Sequence, residues 1–225
     1  MKKYKILNLY ACLGGNRYKW DEVLKEVGLD YEITAIELDP ELARMYKERF
    51  PNDIVIVCDA HKYLLDHYKE FDFVWTSPPC PSHSRIRFNQ AKGRNDDVYK
   101  AEYANMMLYQ EIILLDNYFE GKYLVENVIP YYEPLIPAKK RGRHLYWCNF
   151  LLPNSLNERK VNIGSGTDEV NKLCKFHEID LSGYKGEQRK DKIARNLVDY
   201  EAGKTILSVA LEIYQNANKV QGCLF

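Results

Sequence analysis

The sequence predicts an α/β protein with one mostly parallel sheet covered by helices on both faces. Three observations support this. Short apolar runs alternate with amphipathic stretches through the first 150 residues, the pattern of strands joined by crossover helices. Helix punctuation falls between the runs: Asp39-Pro40 reads as an N-cap followed by a first-turn proline, and Gly28 as a helix stop. Near Pro153 the pattern breaks into a stretch rich in Asn, Ser, Gly and charge.

Taken in order, strands are expected near residues 4–10, 31–37, 53–57, 71–76, 122–126 and 143–150. Helices are expected from about Tyr18 to Gly28, from Pro40 to about Phe50, over 99–119 and over 202–217. The last places Ile206, Val209, Ala210 and Ile213 on one face. The resulting organisation is a core over 1–152, a small irregular insertion over 153–190, and a segment over 191–225 that packs back on the core.

With 225 residues and 46% hydrophobic content, the chain can bury one sizeable core. Its 32 basic and 32 acidic residues balance, which excludes a polybasic tail but leaves room for local patches. Two such patches contain no acid: Arg85, Arg87, Lys92 and Arg94 within 81–95, and Lys139, Lys140, Arg141 and Arg143 within 135–148. A third, over 183–195, mixes five basic residues with Glu187 and Asp191. Solvated loops would explain all three, yet a phosphate backbone suits them as well. Six scattered cysteines without paired spacing read as reduced thiols in the cytoplasm. The apolar run after Met1-Lys2-Lys3 is too short for a signal peptide, and no run approaches the ~20 residues that span a membrane.

The chemistry-bearing residues gather at expected strand ends, where open α/β sheets bind ligands. After the run Phe71–Thr76 comes Ser77-Pro78-Pro79-Cys80-Pro81-Ser82-His83-Ser84. Prolines fix φ, so Cys80 sits in a turn with few alternative shapes. A buried inert thiol is the ordinary fate of a lone cysteine, but the polar Ser82-His83-Ser84 argues for exposure. Glu126, in Leu124-Val125-Glu126-Asn127-Val128, places a carboxylate at another tip. Glu37 ends the second run and could take ribose hydroxyls. Asp59 ends the third and could meet an adenine amino group, although it would serve equally as an N-cap. The Gly14-Gly15 pair in the first turn allows close approach to a ligand or forms an ordinary tight turn. His83 and the Cys174/His177 pair lack the spacing of a closed zinc site, so no metal is expected.

Together these segments resemble the DNA cytosine-C5 methyltransferase family. Asn8 to Gly15 is similar to its cofactor loop, Pro79-Cys80 to its catalytic Pro-Cys, and Glu126-Asn127-Val128 to its Glu-Asn-Val. Lys139-Lys140-Arg141-Gly142-Arg143 is similar to its Gln-x-Arg-x-Arg, and Arg195-Asn196-Leu197-Val198 to its Gly-Asn-x-Val. The resemblance implies a Rossmann-like class I methyltransferase fold using S-adenosyl-L-methionine. The implied cofactor contacts are Tyr10, Ala11, Gly14, Gly15, Glu37, Leu38, Asp59, Ala60, Pro78, Asn196 and Val198. It implies Cys80 as nucleophile at cytosine C6, Glu126 at N3 and the amino group, and Arg143 at O2 with Arg141 supporting the same loop. Double-stranded DNA is the implied partner, met by Ser82, Ser84, Arg85, Arg87, Asn127, Lys185 and Lys190. The implied setting is the cytoplasm of a bacterium or a phage-infected cell.

The departures are specific. Asn8 stands for Asp and Cys12 for Gly in the cofactor loop, Pro81 for the Gln after Pro-Cys, and Lys139 for the Gln before the arginines. Only about 40 residues separate the strand expected over 143–150, which carries on from Arg-x-Arg, from Arg195, where the family places a substantial target-recognition domain. A short target read by 153–190, or recognition shared with a second subunit or a homodimer, is therefore expected. An RNA methyltransferase built on the same site, a non-catalytic DNA-binding subunit and an unrelated thiol enzyme are the rival readings.

Overall fold

The structure is a computed structural model that describes residues 2–85, 88–89, 103–161 and 168–212. Its strands are β1 (Tyr4–Leu9), β2 (Tyr31–Glu37), β3 (Ile54–Val57), β4 (Phe73–Thr76), β5 (Lys122–Val128), β6 (Lys139–Arg141) and β7 (His144–Cys148). Its helices are α1 (Trp20–Glu26), α2 (Pro40–Arg49), α3 (Ala60–His67), α4 (Met107–Tyr118), α5 (Glu169–His177), α6 (Lys190–Arg195) and α7 (Tyr200–Ala210). The seven strands form one sheet in the order β3-β2-β1-β4-β5-β7-β6. The first five pair in parallel, whereas β7 runs antiparallel to β5 and to β6.

Strand order reverses between β1 and β4, and the crevice beyond the parallel strand tips at such a point is where ligands bind. Side-chain alternation divides the core between two faces. Ile6, Ile33, Phe73, Trp75 and Leu124 meet α1 and α7 on one side through Trp20, Leu24, Ile206 and Val209. Leu7, Leu9, Ile36, Val74 and Val125 meet α3 and α4 on the other through Leu64, Leu108, Ile112 and Leu115. The β1–β4 pairing sets the turn that carries Cys80 beside the loop after β1, with Leu9 opposite Thr76.

Helix signals from the sequence hold at several ends. Asp39 accepts from the amides of Glu41 and Leu42 with Pro40 in the first turn, and Gly28, at φ +64°, follows α1. Two expectations need correction. The helix expected over 99–119 begins only at Met107, because Asn105 is pinned to Ser82 Oγ through its amide and accepts the Met107 amide with its own side chain. Residues 99–102 of that span lie outside the described residues. The strand β6 was not expected as an element of its own. It pairs with β7 across the two-residue turn Gly142-Arg143, with Gly142 at φ +52° as a tight hairpin requires. The last helix covers Tyr200–Ala210 and buries Ile206, Val209 and Ala210 as expected, while Ile213 lies outside the described residues.

Candidate active site

The parallel strand tips open into one cleft of about 1870 Å³. At one end it is lined by Glu37, Leu38, Asp59 and Ala60, and at the other by Pro78, Cys80, Glu126, Asn127 and His144. Tyr10 and Cys12 of the first loop lie on its wall.

The first end has the chemistry of a nucleoside site. Glu37 is buried, and its two carboxylate oxygens accept from the amides of Cys12 (2.7 Å) and Asp39 (3.0 Å). Burial raises its pKa, opposed by these amide bonds. Next to it Leu38 is 67% exposed, an apolar surface left uncovered on the cleft wall. Asp59 caps α3 by accepting from the Lys62 amide at 2.8 Å, so its N-cap role is real while it still lines the cleft. These residues fit S-adenosylmethionine: a carboxylate for the ribose and an exposed leucine for the flat face of adenine. The loop itself is strained, with Tyr10 at φ +54° and Cys12 at φ +47°, a region non-glycine residues avoid and functional loops tolerate.

At the other end, Cys80 is half-buried in its proline turn, and its carbonyl accepts from the amides of His83 (3.0 Å) and Ser84 (3.1 Å). The turn is stitched to the segment after β5. The Asn127 side-chain amide donates to the Pro78 carbonyl (2.9 Å), Arg85 Nε to the Pro130 carbonyl (2.6 Å), and the Tyr131 amide to the His83 carbonyl (3.1 Å). His83 Nδ1 lies 2.6 Å from the Tyr132 hydroxyl. Glu126 is buried at the edge of the cleft, with His144 Nε2 at 3.5 Å from one of its oxygens. Cys12 also lines the cleft, but burial and then the Glu37 charge push its thiol up to about 12. A thiol held protonated is a poor nucleophile, which leaves Cys80 as the reactive candidate.

Behind the cleft lies a group that the sequence did not single out. Glu111 of α4 is fully buried. It accepts from the hydroxyls of Tyr10 (2.6 Å) and Thr76 (2.7 Å), and His61 Nδ1 lies 3.0 Å away. One carboxylate thus ties the loop after β1, the start of α3 and the strand that leads to Cys80. A signal was present: Glu111 falls on the same helix stripe as Leu108, Ile112 and Leu115.

Several expected site residues have other work. Gly14 and Gly15 are buried behind the cleft wall. A side chain on Gly15 would meet the Val198 carbonyl at 2.5 Å, and one on Gly14 the Phe50 ring at 2.4 Å, so the pair serves close packing. Ala11 is buried against Tyr46 and Phe50. Asn196 and Val198 do line the cleft, and Val198 brings the C-terminal segment onto the first loop. Arg141 turns away from the cleft: it donates to the carbonyls of Pro153, Leu152 and Lys140. Arg143 is exposed in the hairpin turn and reaches the cleft. Ser82 and Ser84 hold backbone, the first accepting from Asn105 and the second bridging to Pro130. Arg87, Lys92 and Arg94 lie outside the described residues.

Residues 168–195 also differ from a freestanding reading module. Leu173, Leu181, Tyr184 and Ile193 share a small core with Leu13 and Leu42. Tyr184 and Gln188 both donate to Asp39, at 2.9 and 3.2 Å. Lys185 is exposed on this same segment and Lys190 donates to the Ser182 carbonyl, and neither is among the residues that line the cleft. The far wall is fixed by Arg159, which lies over the rings of Phe176 (4.2 Å) and Tyr200 (3.5 Å) and donates to Asp199 at 2.9 Å. Among the described residues no group of three or more His, Cys, Asp or Glu gathers to hold a metal ion, and no helix is long and apolar enough to cross a membrane.

The sheet order, the switch point and a nucleoside-type cleft define a Rossmann-like methyltransferase fold. A family model described as C-5 cytosine-specific DNA methylase matches residues 4–128, more than half of the chain. The chain belongs to the C-5 cytosine-specific DNA methylase family. Among solved structures it is similar to Spodoptera frugiperda DNMT2 in a mutant form, with 27% identity over 56% of this chain and 36% of that one, at a TM-score of 0.36. The chain thus matches little more than a third of the insect protein's length. The Entamoeba histolytica methyltransferase EhMeth matches 95% of this chain and 99% of its own at a TM-score of 0.55, with 11% identity, a likeness of fold. No curated protein matches the chain.

Proposed function

We propose that this chain methylates C5 of a cytosine flipped out of DNA, through a covalent adduct between Cys80 and C6 of the base. The observation that carries this reading is the shared cleft. It joins a carboxylate-tipped nucleoside end at Glu37 to a proline-held cysteine and a buried carboxylate, Cys80 and Glu126, at neighbouring strand tips.

S-adenosylmethionine, when bound by Glu37, Leu38, Asp59 and the Tyr10–Cys12 loop, supplies an electrophilic methyl group on a sulfonium sulfur. The chain's own residues make the base reactive. Cytosine C5 is a weak nucleophile, and covalent catalysis raises its electron density. The Cys80 thiolate adds to C6, forming a C–S bond, while the displaced electron pair moves toward C5 and N3. Glu126 hydrogen-bonds N3 and the amino group and supports the proton there. After C5 gains its methyl, a base removes the C5 proton, the C5–C6 double bond re-forms and the C–S bond breaks. Asn127 positions the nucleophile by holding the Pro78 carbonyl. A base inside a duplex is out of reach of this cleft, so it must leave the stack. The exposed residues of 153–190 are the part of the chain assigned to reading the target, which would be short, on the order of two to four base pairs.

The test is methylation sequencing of host DNA after expression, with purified protein assayed in parallel on duplex DNA and on tRNA. Cytosine-C5 methylation of DNA, lost in Cys80→Ala while cofactor binding measured by calorimetry persists, is the expected result. Turnover retained in Cys80→Ala would remove the nucleophile from this account, and methyl transfer to tRNA alone would move the substrate to RNA. Activity that appears only with a second protein would assign recognition to that partner.

A further inference from the structure

The hairpin β6–β7 places a different side chain beside Glu126 than the Arg-x-Arg pattern suggests. Arg141 spends its guanidinium on three backbone carbonyls, those of Pro153, Leu152 and Lys140. Arg143 sits in the exposed turn. The next residue, His144, is the first of β7. In the antiparallel register it pairs with Val128, and Tyr146 pairs with Glu126. His144 is therefore the diagonal neighbour of Glu126 on one face of the sheet, a distance side chains span.

The contact is made. His144 Nε2 lies 3.5 Å from Glu126 Oε1, and both residues line the cleft. The imidazole is 29% exposed and the carboxylate 9%, so the pair faces the cleft with its back to the sheet. The Tyr146 ring packs edge-on against the imidazole, with centroids 6.4 Å apart, and limits its rotation. A separation of 3.5 Å is longer than an ordinary hydrogen bond. Such contacts commonly tighten when substrate arrives.

We propose that His144 is the positioning residue for Glu126. Its Nε2–H holds one carboxylate oxygen, so the other is presented to N3 and the amino group of the base. This rests on the function proposed above. It means that an imidazole fixed on a strand does the orienting here, while Arg141 fastens the hairpin and Arg143 reaches the cleft from the turn.

The experiment compares wild-type protein with His144→Leu and His144→Gln. The Gln side-chain amide can place an N–H close to the position of Nε2, and Leu cannot. Single-turnover methyl transfer is measured on a substrate duplex, together with adduct yield on a 5-fluorocytosine duplex, cofactor affinity and thermal unfolding. His144→Leu is expected to slow the single turnover roughly ten- to a hundredfold. Adduct formation should slow in parallel, cofactor affinity and melting temperature should stay near wild type, and His144→Gln should recover most of the rate. Wild-type rate in His144→Leu overturns the proposal. So does a loss in His144→Leu that His144→Gln fails to restore, or one accompanied by weaker cofactor binding and early melting, because either marks a structural role. If the wild-type protein itself forms no adduct and transfers no methyl group to cytosine, the functional reading fails first, an outcome distinct from all of these.

Discussion

Glu37 carries two loads that its position at a strand tip joins. Its carboxylate fixes the amides of Cys12 and Asp39, and the same group faces the cleft where a ribose would lie. Replacing it by Ala removes a charged acceptor, a loss of roughly 1.5–3 kcal/mol. The dissociation constant for S-adenosylmethionine should rise by about one to two powers of ten. Calorimetric titration of Glu37→Ala checks this, and an unchanged constant would place the ribose elsewhere. Residues of this kind were legible in the sequence because their chemistry and their place at a strand end coincide: Glu37, Asp59, Cys80 and Glu126 all line the cleft. Glu111 and His144 were not singled out. A glutamate within a helix usually faces water, and the burial of Glu111 depends on Tyr10, Thr76 and His61 arriving from three distant segments. His144 acquires its neighbour only through antiparallel register. For the Gly14-Gly15 pair, local sequence shows that the backbone can be approached closely, and the approach by Phe50 and Val198 is set by distant segments.

At the scale of elements, the tightest junction is between α7 and the segment leading into α1. Gly203 lies so close to Asn16 that an added Cβ would meet the Asn16 carbonyl oxygen at 2.1 Å. The Trp20 indole also donates to the Gly203 carbonyl at 3.2 Å. Gly203→Ala would gain about 1 kcal/mol of helix propensity in isolation. The clash is with backbone, which cannot swing aside, and overpacking of this kind costs about 1–3 kcal/mol. The variant should therefore be less stable than wild type, read as a lower urea midpoint at unchanged slope; a higher midpoint would show that the two segments separate easily. The inner parallel strands β1, β2, β4 and β5 are legible nearly to the residue, because a strand buried on both faces announces itself as an apolar run, and the edge strand β3 shows the same run although none of its residues is buried. The start of α4 was not, since Ser82 and Asn105 stop it by a long-range bond. The three-residue β6 was read as a basic patch because its pairing, and not its composition, makes it a strand.

For the whole molecule, acid should loosen the wall that closes the cleft. His177, at the end of α5, is 5% exposed, its Nδ1 has no hydrogen-bond partner among the described residues, and its carbonyl accepts from Arg49. Burial, with help from Arg159 and Arg49 and against Asp199, lowers its pKa to about 4. An unfolded chain protonates a histidine near its ordinary value of about 6.5. Between the two values the unfolded chain holds the extra proton, so stability falls as pH drops through this window and returns above it. The loss is up to about 1.4 kcal/mol per pH unit. Denaturant midpoints at pH 7 and pH 5 should differ less for His177→Gln than for wild type, and equal differences would clear His177 of this role. The order in which the core is supplied has a consequence for synthesis. Ile6, Trp20, Phe73 and Trp75 are among the first core residues to leave the ribosome, yet α7, which shares the cover of this face with α1, begins at Tyr200. Part of one face of the sheet must therefore wait, wet and adhesive, until nearly the whole described chain has been translated. Contacts this far apart in sequence slow folding and expose nascent chains to aggregation. Co-expressing a chaperone is therefore expected to raise the yield of folded protein.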